Sequence, residues 1–102
     1  MKIIALSDAP AVPFNIDGRI MFSNNKVEVV HLSLAPGEKL EIHDNMVDVV
    51  FYMLEGSAFL LLEEGETEIT TDTCFELGKG ILRGWENRSR GNARLLVIKQ
   101  IN

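Results

Sequence analysis

Residues 36–56 read PGEKLEIHDNMVDVVFYMLEG and contain two apolar stretches, each bounded by turn residues. KLEIH at 39–43 alternates polar and apolar residues, whereas VDVVFYMLE at 47–55 is nearly continuous in β-branched, aromatic and other apolar residues. Both patterns are typical of β-strands. Pro36 and Gly37 precede the first stretch and Gly56 follows the second. These residues indicate turns, because proline cannot donate to a ladder and glycine accepts a positive φ. The stretch therefore predicts two strands separated by short turns.

The same pattern continues on both sides of this stretch. Further strands are predicted at 2–6, 20–22, 26–34, 57–64, 66–70, 73–77, 81–87 and 93–101. Residues 9–18 hold two of the three prolines and are interpreted as a loop. Glu55-Gly56 is interpreted as a tight hairpin between the strands on either side of it. Many short strands without a long helix predict an all-β, antiparallel sandwich or barrel.

Composition limits the classes of function. The chain has 102 residues, of which 46% are hydrophobic, and we expect a single domain spanning 1–102. A net charge of −5 argues against nucleic-acid partners, since non-specific binding depends on neutralising phosphates. The single cysteine, Cys74, cannot form an intrachain disulfide, and its apolar neighbours predict a buried thiol. With no apolar run long enough to span a bilayer, we expect no membrane partner and a soluble, cytoplasmic protein.

Two groups of residues show the spacing of a known family. Gly37, His43, Asn45, Val49 and Gly56 resemble the first cupin motif, which runs glycine, five residues, His-x-His, three or four residues, Glu, six residues, glycine. Asp72, Gly78, Gly80, Arg83 and Asn87 resemble the second cupin motif. The chain thus resembles a small single-domain cupin of the RmlC-like kind over about residues 26–100. The resemblance implies a jelly-roll barrel, or double-stranded β-helix, at 26–101, preceded by an N-terminal strand and loop segment at 1–25.

The departures from the family pattern concern the metal site. The resemblance implies two histidines and a glutamate from the first motif and a histidine from the second as metal ligands. Here His43 keeps the first of these positions, while the others hold Asn45, Val49 and Arg83. An arginine offers no lone pair and places a positive charge where the cation would sit. We therefore predict no metal and no other cofactor, with one alternative left open: a reshaped divalent site that joins His43 to Glu41 or His31.

Strand parity defines a set of residues that would face the barrel interior. The candidate ligand-binding residues are Glu41, His43, Asn45, Phe51, Met53, Arg83 and Trp85, with Val49 beside them. An apolar base with a few convergent polar groups is usual for a ligand site, and it is equally the composition of an ordinary barrel core. A buried guanidinium needs a counter-charge, so Arg83 is predicted to meet a protein carboxylate or a bound anion.

Four functions remain compatible with this set of residues, because one barrel serves many activities. The first hypothesis is a small-molecule-binding cupin that takes a carboxylate or phosphate between Arg83 and His43. The second is a metal-free isomerase or lyase in which His43 is the general base and Arg83 holds an oxyanion. The third is a metalloenzyme with a reshaped site on His43, and the fourth is an interaction module with a closed pocket.

The apolar N-terminal segment also predicts a homodimer. Residues 1–25 contain too many apolar side chains to remain in water: Ile3, Ile4, Leu6, Val12, Phe14, Ile16, Ile20, Met21 and Phe22. Sheet edges must be paired or covered, so the predicted strand at 2–6 is expected to add to an edge of its own sheet or of a partner's.

Overall fold

The structure is a computed structural model that describes residues 1–101, and its fold consists mainly of β-strands. The strands are β1 (Asp17–Ser23), β2 (Val27–Leu34), β3 (Lys39–His43), β4 (Asp48–Glu55), β5 (Ala58–Leu62), β6 (Gly65–Ile69), β7 (Cys74–Leu77), β8 (Arg83–Glu86) and β9 (Ala93–Gln100). Antiparallel pairing arranges them in a five-stranded sheet, β1-β2-β9-β4-β7, and a four-stranded sheet, β3-β8-β5-β6. No helix within residues 1–101 is long and apolar enough to cross a membrane. The predicted all-β antiparallel class is confirmed.

The core lies between the two sheets, where alternate residues of each strand point inward. In β9, for example, Ala93, Leu95 and Val97 are buried, whereas the side chains between them are more exposed. This alternation is what a sheet with one face on a core requires. The principal inward side chains are Val30, Leu32, Leu34, Val49, Phe51, Met53, Leu60, Trp85 and Leu95.

The predicted hairpin at Glu55-Gly56 is wrong. β4 belongs to the five-stranded sheet and β5 to the four-stranded sheet, so the chain crosses from one sheet to the other at Gly56. Gly56 has a φ of +73°, and a Cβ there would collide with the backbone of Asn92 and Ala93. Glycine is needed at this position for its conformation and for this close approach, and both requirements also arise outside hairpins.

The N-terminal segment differs from its prediction. Residues 2–6 form no strand, and the chain there leads into a 3-10 turn at Leu6–Asp8. The barrel begins with β1 at Asp17 rather than at Lys26, because β1 pairs along β2 over most of its length. Segment 9–12 lies along the outer edge of β1, where Val12 N donates to Gly18 O and Ile20 N donates to Pro10 O. The first part of the predicted loop therefore covers a sheet edge.

Cys74 is exposed, which corrects the prediction of a buried thiol. It occupies the first position of β7, an edge strand of the five-stranded sheet, and its neighbour Phe75 is the residue that turns inward. The neighbours of Cys74 are apolar, but successive residues of a strand point to opposite faces, and the inward position here belongs to Phe75.

The amide of Asn87 connects the two sheets. It is fully buried just after β8, and its Nδ2 donates to Leu34 O at the end of β2 and to Gly91 O. Its Oδ1 accepts from both the backbone N–H and the hydroxyl of Ser89. Every hydrogen-bonding position of the side chain is thus used, which is the condition under which a buried amide stabilises a fold.

A β-bulge in β3 sets the geometry of the barrel interior. Leu40 pairs with Trp85 and His43 with Arg83, so β3 uses one residue more than β8 over this interval. Gly84 lies opposite the bulge, and a Cβ there would meet Leu40 O and come within 2.9 Å of the Glu41 carbonyl carbon and the Ile42 nitrogen. The bulge therefore depends on the absence of a side chain at this position.

We predict that Gly84→Ala destabilises the protein by about 2 kcal/mol or more, because the added methyl group has to displace backbone atoms. Urea unfolding followed by tryptophan fluorescence measures the change. Gly91→Ala is the matched control, since a Cβ there meets nothing within 4 Å, and it should change stability by less than about 0.5 kcal/mol. Equal stabilities for the two variants would contradict this role of Gly84.

Candidate ligand-binding pocket

One pocket opens into the barrel between the sheets. It is lined by Phe14, Val30, Leu32, Leu40, His43, Asn45, Phe51, Arg83, Trp85, Val97 and Lys99. The space between these walls is about 390 Å³ including the open mouth, but the room for water-sized groups is only about 30 Å³. That is enough for a few such groups, so whatever enters the narrow part must be small.

The bulge in β3 decides which of its residues reach the pocket. Strict alternation would put Glu41 and His43 on one face, but the extra residue turns Leu40 and His43 inward together. Glu41 is exposed and pairs with Lys39 at 3.3 Å, so the prediction that it lines the pocket is wrong. A bulge shifts the parity of every residue beyond it, and the sequence carried no separate signal for one here.

Arg83 points into the barrel as predicted. It is 2% exposed, its Nη1 donates to Ile81 O at 3.2 Å, and its guanidinium lies 5.8 Å from the centre of the Phe51 ring. In the part of the chain that the structure describes, no carboxylate lies within ion-pairing distance of it. Burial lowers the pKa of Arg83, and the more distant Asp44 opposes that shift. Arg83 therefore meets no protein carboxylate within residues 1–101, and of the two predicted partners a bound anion remains.

His43 faces Arg83 across the β3–β8 pair. Its Nδ1 lies 2.9 Å from Glu41 O, an acceptor, so the neutral ring carries its proton on Nδ1 and leaves the lone pair on Nε2. Phe14, from the N-terminal segment, lies 6.0 Å from the imidazole in a tilted arrangement. The pocket therefore combines a fixed positive charge with a nitrogen that can accept a proton.

Trp85 forms the apolar floor together with two phenylalanines. Its ring meets Phe51 edge-on at 5.5 Å, and Phe51 in turn stacks on Phe75 at 5.0 Å. Trp85 is 1% exposed, and its Nε1 has no hydrogen-bond partner among residues 1–101. Such an orphaned donor is unusual in a folded protein.

The structure brings together five of the seven predicted site residues: His43, Asn45, Phe51, Arg83 and Trp85. Met53 is buried in the core at 1% exposure but does not line the pocket. The sequence analysis missed Phe14 and Lys99. Lys99 lies on the same face of β9 as Leu95 and Val97, so strand alternation could have predicted it. Its Nζ lies 3.4 Å from a carboxylate oxygen of Glu28. Phe14 lies in an irregular segment where no periodicity applies.

The residues present do not fit a divalent cation. Of the four family ligand positions, Val49 is fully buried in the core and Arg83 brings a buried guanidinium beside His43. Within residues 1–101, no three His, Cys, Asp or Glu side chains are grouped so that they would hold a metal ion. Asn45 adds only a neutral amide oxygen, so the set lacks the charged donors that such an ion requires.

The reshaped site with Glu41 or His31 is not formed either. Glu41 is on the surface, as described above. His31 lies on β2 and accepts a hydrogen bond at Nε2 from Arg94 Nε at 3.1 Å. Burial and the nearby Arg94 lower the pKa of His31, while Asp17 opposes the shift. Neither residue lines the pocket with His43.

Comparisons with known proteins bear on the fold. No protein-family model and no curated protein match the sequence. Among solved structures, the polyketide cyclase RemF from Streptomyces resistomycificus matches with a TM-score of 0.87 at 18% identity, covering 100% of this chain and 80% of that one. KdgF from Halomonas sp. matches at 0.83 and 14%, covering 100% and 95%. A cupin superfamily protein from Desulfitobacterium hafniense matches at 0.77 and 15%, covering 95% and 87%. The chain therefore has the double-stranded β-helix fold of the small cupins.

Proposed function

We propose that this protein binds a small anion, a carboxylate or a phosphate, between Arg83 and His43. The observation that carries the proposal is the buried guanidinium of Arg83, which has one hydrogen bond to a backbone carbonyl and no ion pair within residues 1–101. Removing a charge from water is costly unless an opposite charge replaces the lost hydration. An anion that enters the pocket supplies that charge and accepts several charge-assisted hydrogen bonds.

The lining of the pocket supports an anion over a cation. Its charged members, Arg83 and Lys99, are both basic, and the other polar members are His43, Asn45 and Trp85. Lys99 is paired with Glu28 at 3.4 Å, so the positive charge without a counter-charge within residues 1–101 is that of Arg83. Among residues 1–101, no acidic side chain lines the pocket. The limited space favours a head group of few atoms, with the rest of the ligand lying towards the mouth beside Phe14.

A second candidate is a metal-free enzyme that uses the same residues. The observation that favours it is the contact between His43 Nδ1 and Glu41 O, which directs the lone pair to Nε2. A histidine held in one tautomer beside a buried arginine can remove a proton, while the arginine stabilises the negative charge that develops. RemF, which has a similar barrel, is a polyketide cyclase. Binding comes first in either case, so the anion site is the common element of both candidates.

We also propose that the protein acts as a homodimer through its N-terminal segment. Ile3 is 83% exposed and Met1 is wholly exposed, and residues 1–5 belong to no helix or strand of the described chain. A groove lies between this segment and the end of β1, lined by Lys2, Ile3, Ile4, Met21, Phe22 and Ser23. An exposed, largely apolar segment beside a largely apolar groove is suited to contact with the same region of a second copy.

Replacing Arg83 with methionine should stabilise the protein in the absence of added anions, by about 1 kcal/mol or more, because an unpaired buried charge is removed at similar volume. The same change should abolish the stabilisation of the native protein by acetate or phosphate. Urea unfolding with and without each anion measures both effects. Arg90→Met is the matched control, since Arg90 is exposed, and it should keep the anion effect. Anions that stabilise both variants equally would refute the site.

Protein purified without a histidine tag from metal-replete medium should contain no stoichiometric transition metal, because three of the four ligand positions hold Asn45, Val49 and Arg83. Elemental analysis is the measurement. One zinc, iron, manganese or nickel per chain that disappears in His43→Ala would show that the metal-free assignment is wrong.

Light scattering coupled to size exclusion at micromolar concentration should give about twice the 11.4 kDa mass of one chain. Ile3→Glu should shift the protein towards the monomer, because a charge would then lie in the apolar interface. Met46→Glu, at an exposed methionine elsewhere on the surface, is the control and should leave the mass unchanged. A monomer mass for the unmodified protein would exclude this dimer.

A further inference from the structure

Phe14 is a large apolar side chain at the mouth of the pocket. It lines the pocket and is 42% exposed, whereas Arg83, which lines the same pocket, is 2% exposed. His43 lies between these two residues: its ring centre is 6.0 Å from that of Phe14, and it pairs with Arg83 across β3 and β8. Because His43 is partly buried, exposure increases from Arg83 through His43 to Phe14. The three side chains thus run from the interior of the barrel to its surface.

The two residues that follow Phe14 attach it to the barrel. Asn15 Nδ2 donates to Lys39 O at 3.1 Å, which joins the segment to β3, the strand that also carries His43. Ile16 is 5% exposed and belongs to the apolar core. The ring of Phe14 is therefore carried by a segment that is bonded to one sheet and packed into the core. An aromatic ring placed in this way is a preformed apolar contact for a ligand.

The composition of the pocket wall indicates a ligand that is partly apolar. Of the eleven residues from 1–101 that line it, seven are aliphatic or aromatic. An anion without an apolar group would use only the charge of Arg83 and would leave Phe14 in contact with water. A ligand that uses both residues needs an apolar group attached to its anionic end.

The available space assigns a place to each end of such a ligand. The narrow part of the pocket has room for a few water-sized groups, about 30 Å³, so it accepts a small head group. A planar carboxylate fits this space better than a tetrahedral phosphate, which has more atoms. The rings of Phe14 and His43 are already in contact at 6.0 Å, so a third ring does not fit between them. The apolar group of the ligand therefore packs on the exposed surface of Phe14.

We infer, on the basis of the proposed anion site, that the ligand is a carboxylic acid that carries an apolar group of ring size. The carboxylate binds Arg83, and the apolar group leaves water by packing against Phe14 at the mouth. Phe14 is then the residue that selects such acids over small anions that lack an apolar group.

Three probes test the inference by NMR titration of the full chain: 3-phenylpropionate, propionate, which lacks the ring, and 3-phenylpropanamide, which lacks the charge. The aromatic acid should bind about tenfold more tightly than propionate, because its ring leaves water. It should also bind at least tenfold more tightly than the amide, which cannot pair with the guanidinium. Phenyl phosphate should bind more weakly than 3-phenylpropionate, and the reverse order would overturn the carboxylate assignment.

Phe14→Ala should reduce the preference for 3-phenylpropionate over propionate to about twofold or less, since the ring contact is lost, and leave the affinity for propionate within about twofold. Ile42→Ala is the matched control, because Ile42 is 43% exposed and does not line the pocket, and it should keep the full preference. Both changes truncate exposed side chains, for which small effects on folding are expected. An unchanged preference in Phe14→Ala would overturn the role of Phe14.

A second readout uses the unmodified protein. In the complex with 3-phenylpropionate, nuclear Overhauser contacts should connect the ring protons of the ligand to those of Phe14. Contacts of the ligand ring with other side chains and none with Phe14 would contradict the inference.

The outcomes separate this inference from the proposed function. Equal affinities for propionate and 3-phenylpropionate, both lost in Arg83→Gln, would refute the apolar group and retain the anion site. No binding of either acid, or binding that is unaffected by Arg83→Gln, would refute the anion site and the inference with it. Arg90→Gln is the charge-matched control, since Arg90 is exposed.

Discussion

The buried amide of Asn87 joins the two sheets of the barrel. Within residues 1–101 the sheets share no ladder, and this side chain links the end of β8 in one sheet to the end of β2 in the other through fully used hydrogen bonds. Because Asn87 directly follows β8, it fixes the strand that carries Arg83 and Trp85. The backbone of Asn87 extends the pairing of β8 with β3, since Asn87 N donates to Glu38 O and Gly37 N donates to Asn87 O. A buried amide with all its bonds made permits one arrangement of the chain around it.

The position of β8 in turn determines the pocket through Gly84. Without a side chain at this position, β3 approaches closely enough to form its bulge, and the bulge brings His43 opposite Arg83. The chain thus supports a precise polar site on strands rather than on loops, which limits how far the groups can drift apart. The same close approach explains why Glu41, two residues before His43, points to solvent and does not pair with Arg83.

Arg83 differs from Arg88 and Arg94 in its surroundings. Arg88 binds Glu66 through two nitrogens and also contacts Glu86, and Arg94 bonds to Glu55 and His31. The carboxylates among these partners are partly or fully exposed, so each ion pair contributes little to stability and the charge stays hydrated. Arg83 is buried and has no counter-charge within residues 1–101, a combination that lowers stability. Proteins retain such groups where function requires them, and this is the basis of the binding role proposed for Arg83.

The sequence alone determined the fold class and much of the pocket, because those depend on local pattern. Turn residues at regular intervals and period-two alternation predicted the antiparallel strands. The spacing of Gly37, His43, Gly56, Arg83 and Asn87 predicted the barrel and the inward direction of Arg83. The tertiary structure alone decided the features that depend on contacts between distant segments. The chain crosses between the sheets at Gly56, where the backbone of Asn92 leaves no room for a side chain. Glu41 points outward because β3 forms a bulge opposite Gly84. Residues 2–6 form no strand because β1 already pairs with β2 and segment 9–12 lies along its other edge, contacts that no short stretch of sequence encodes.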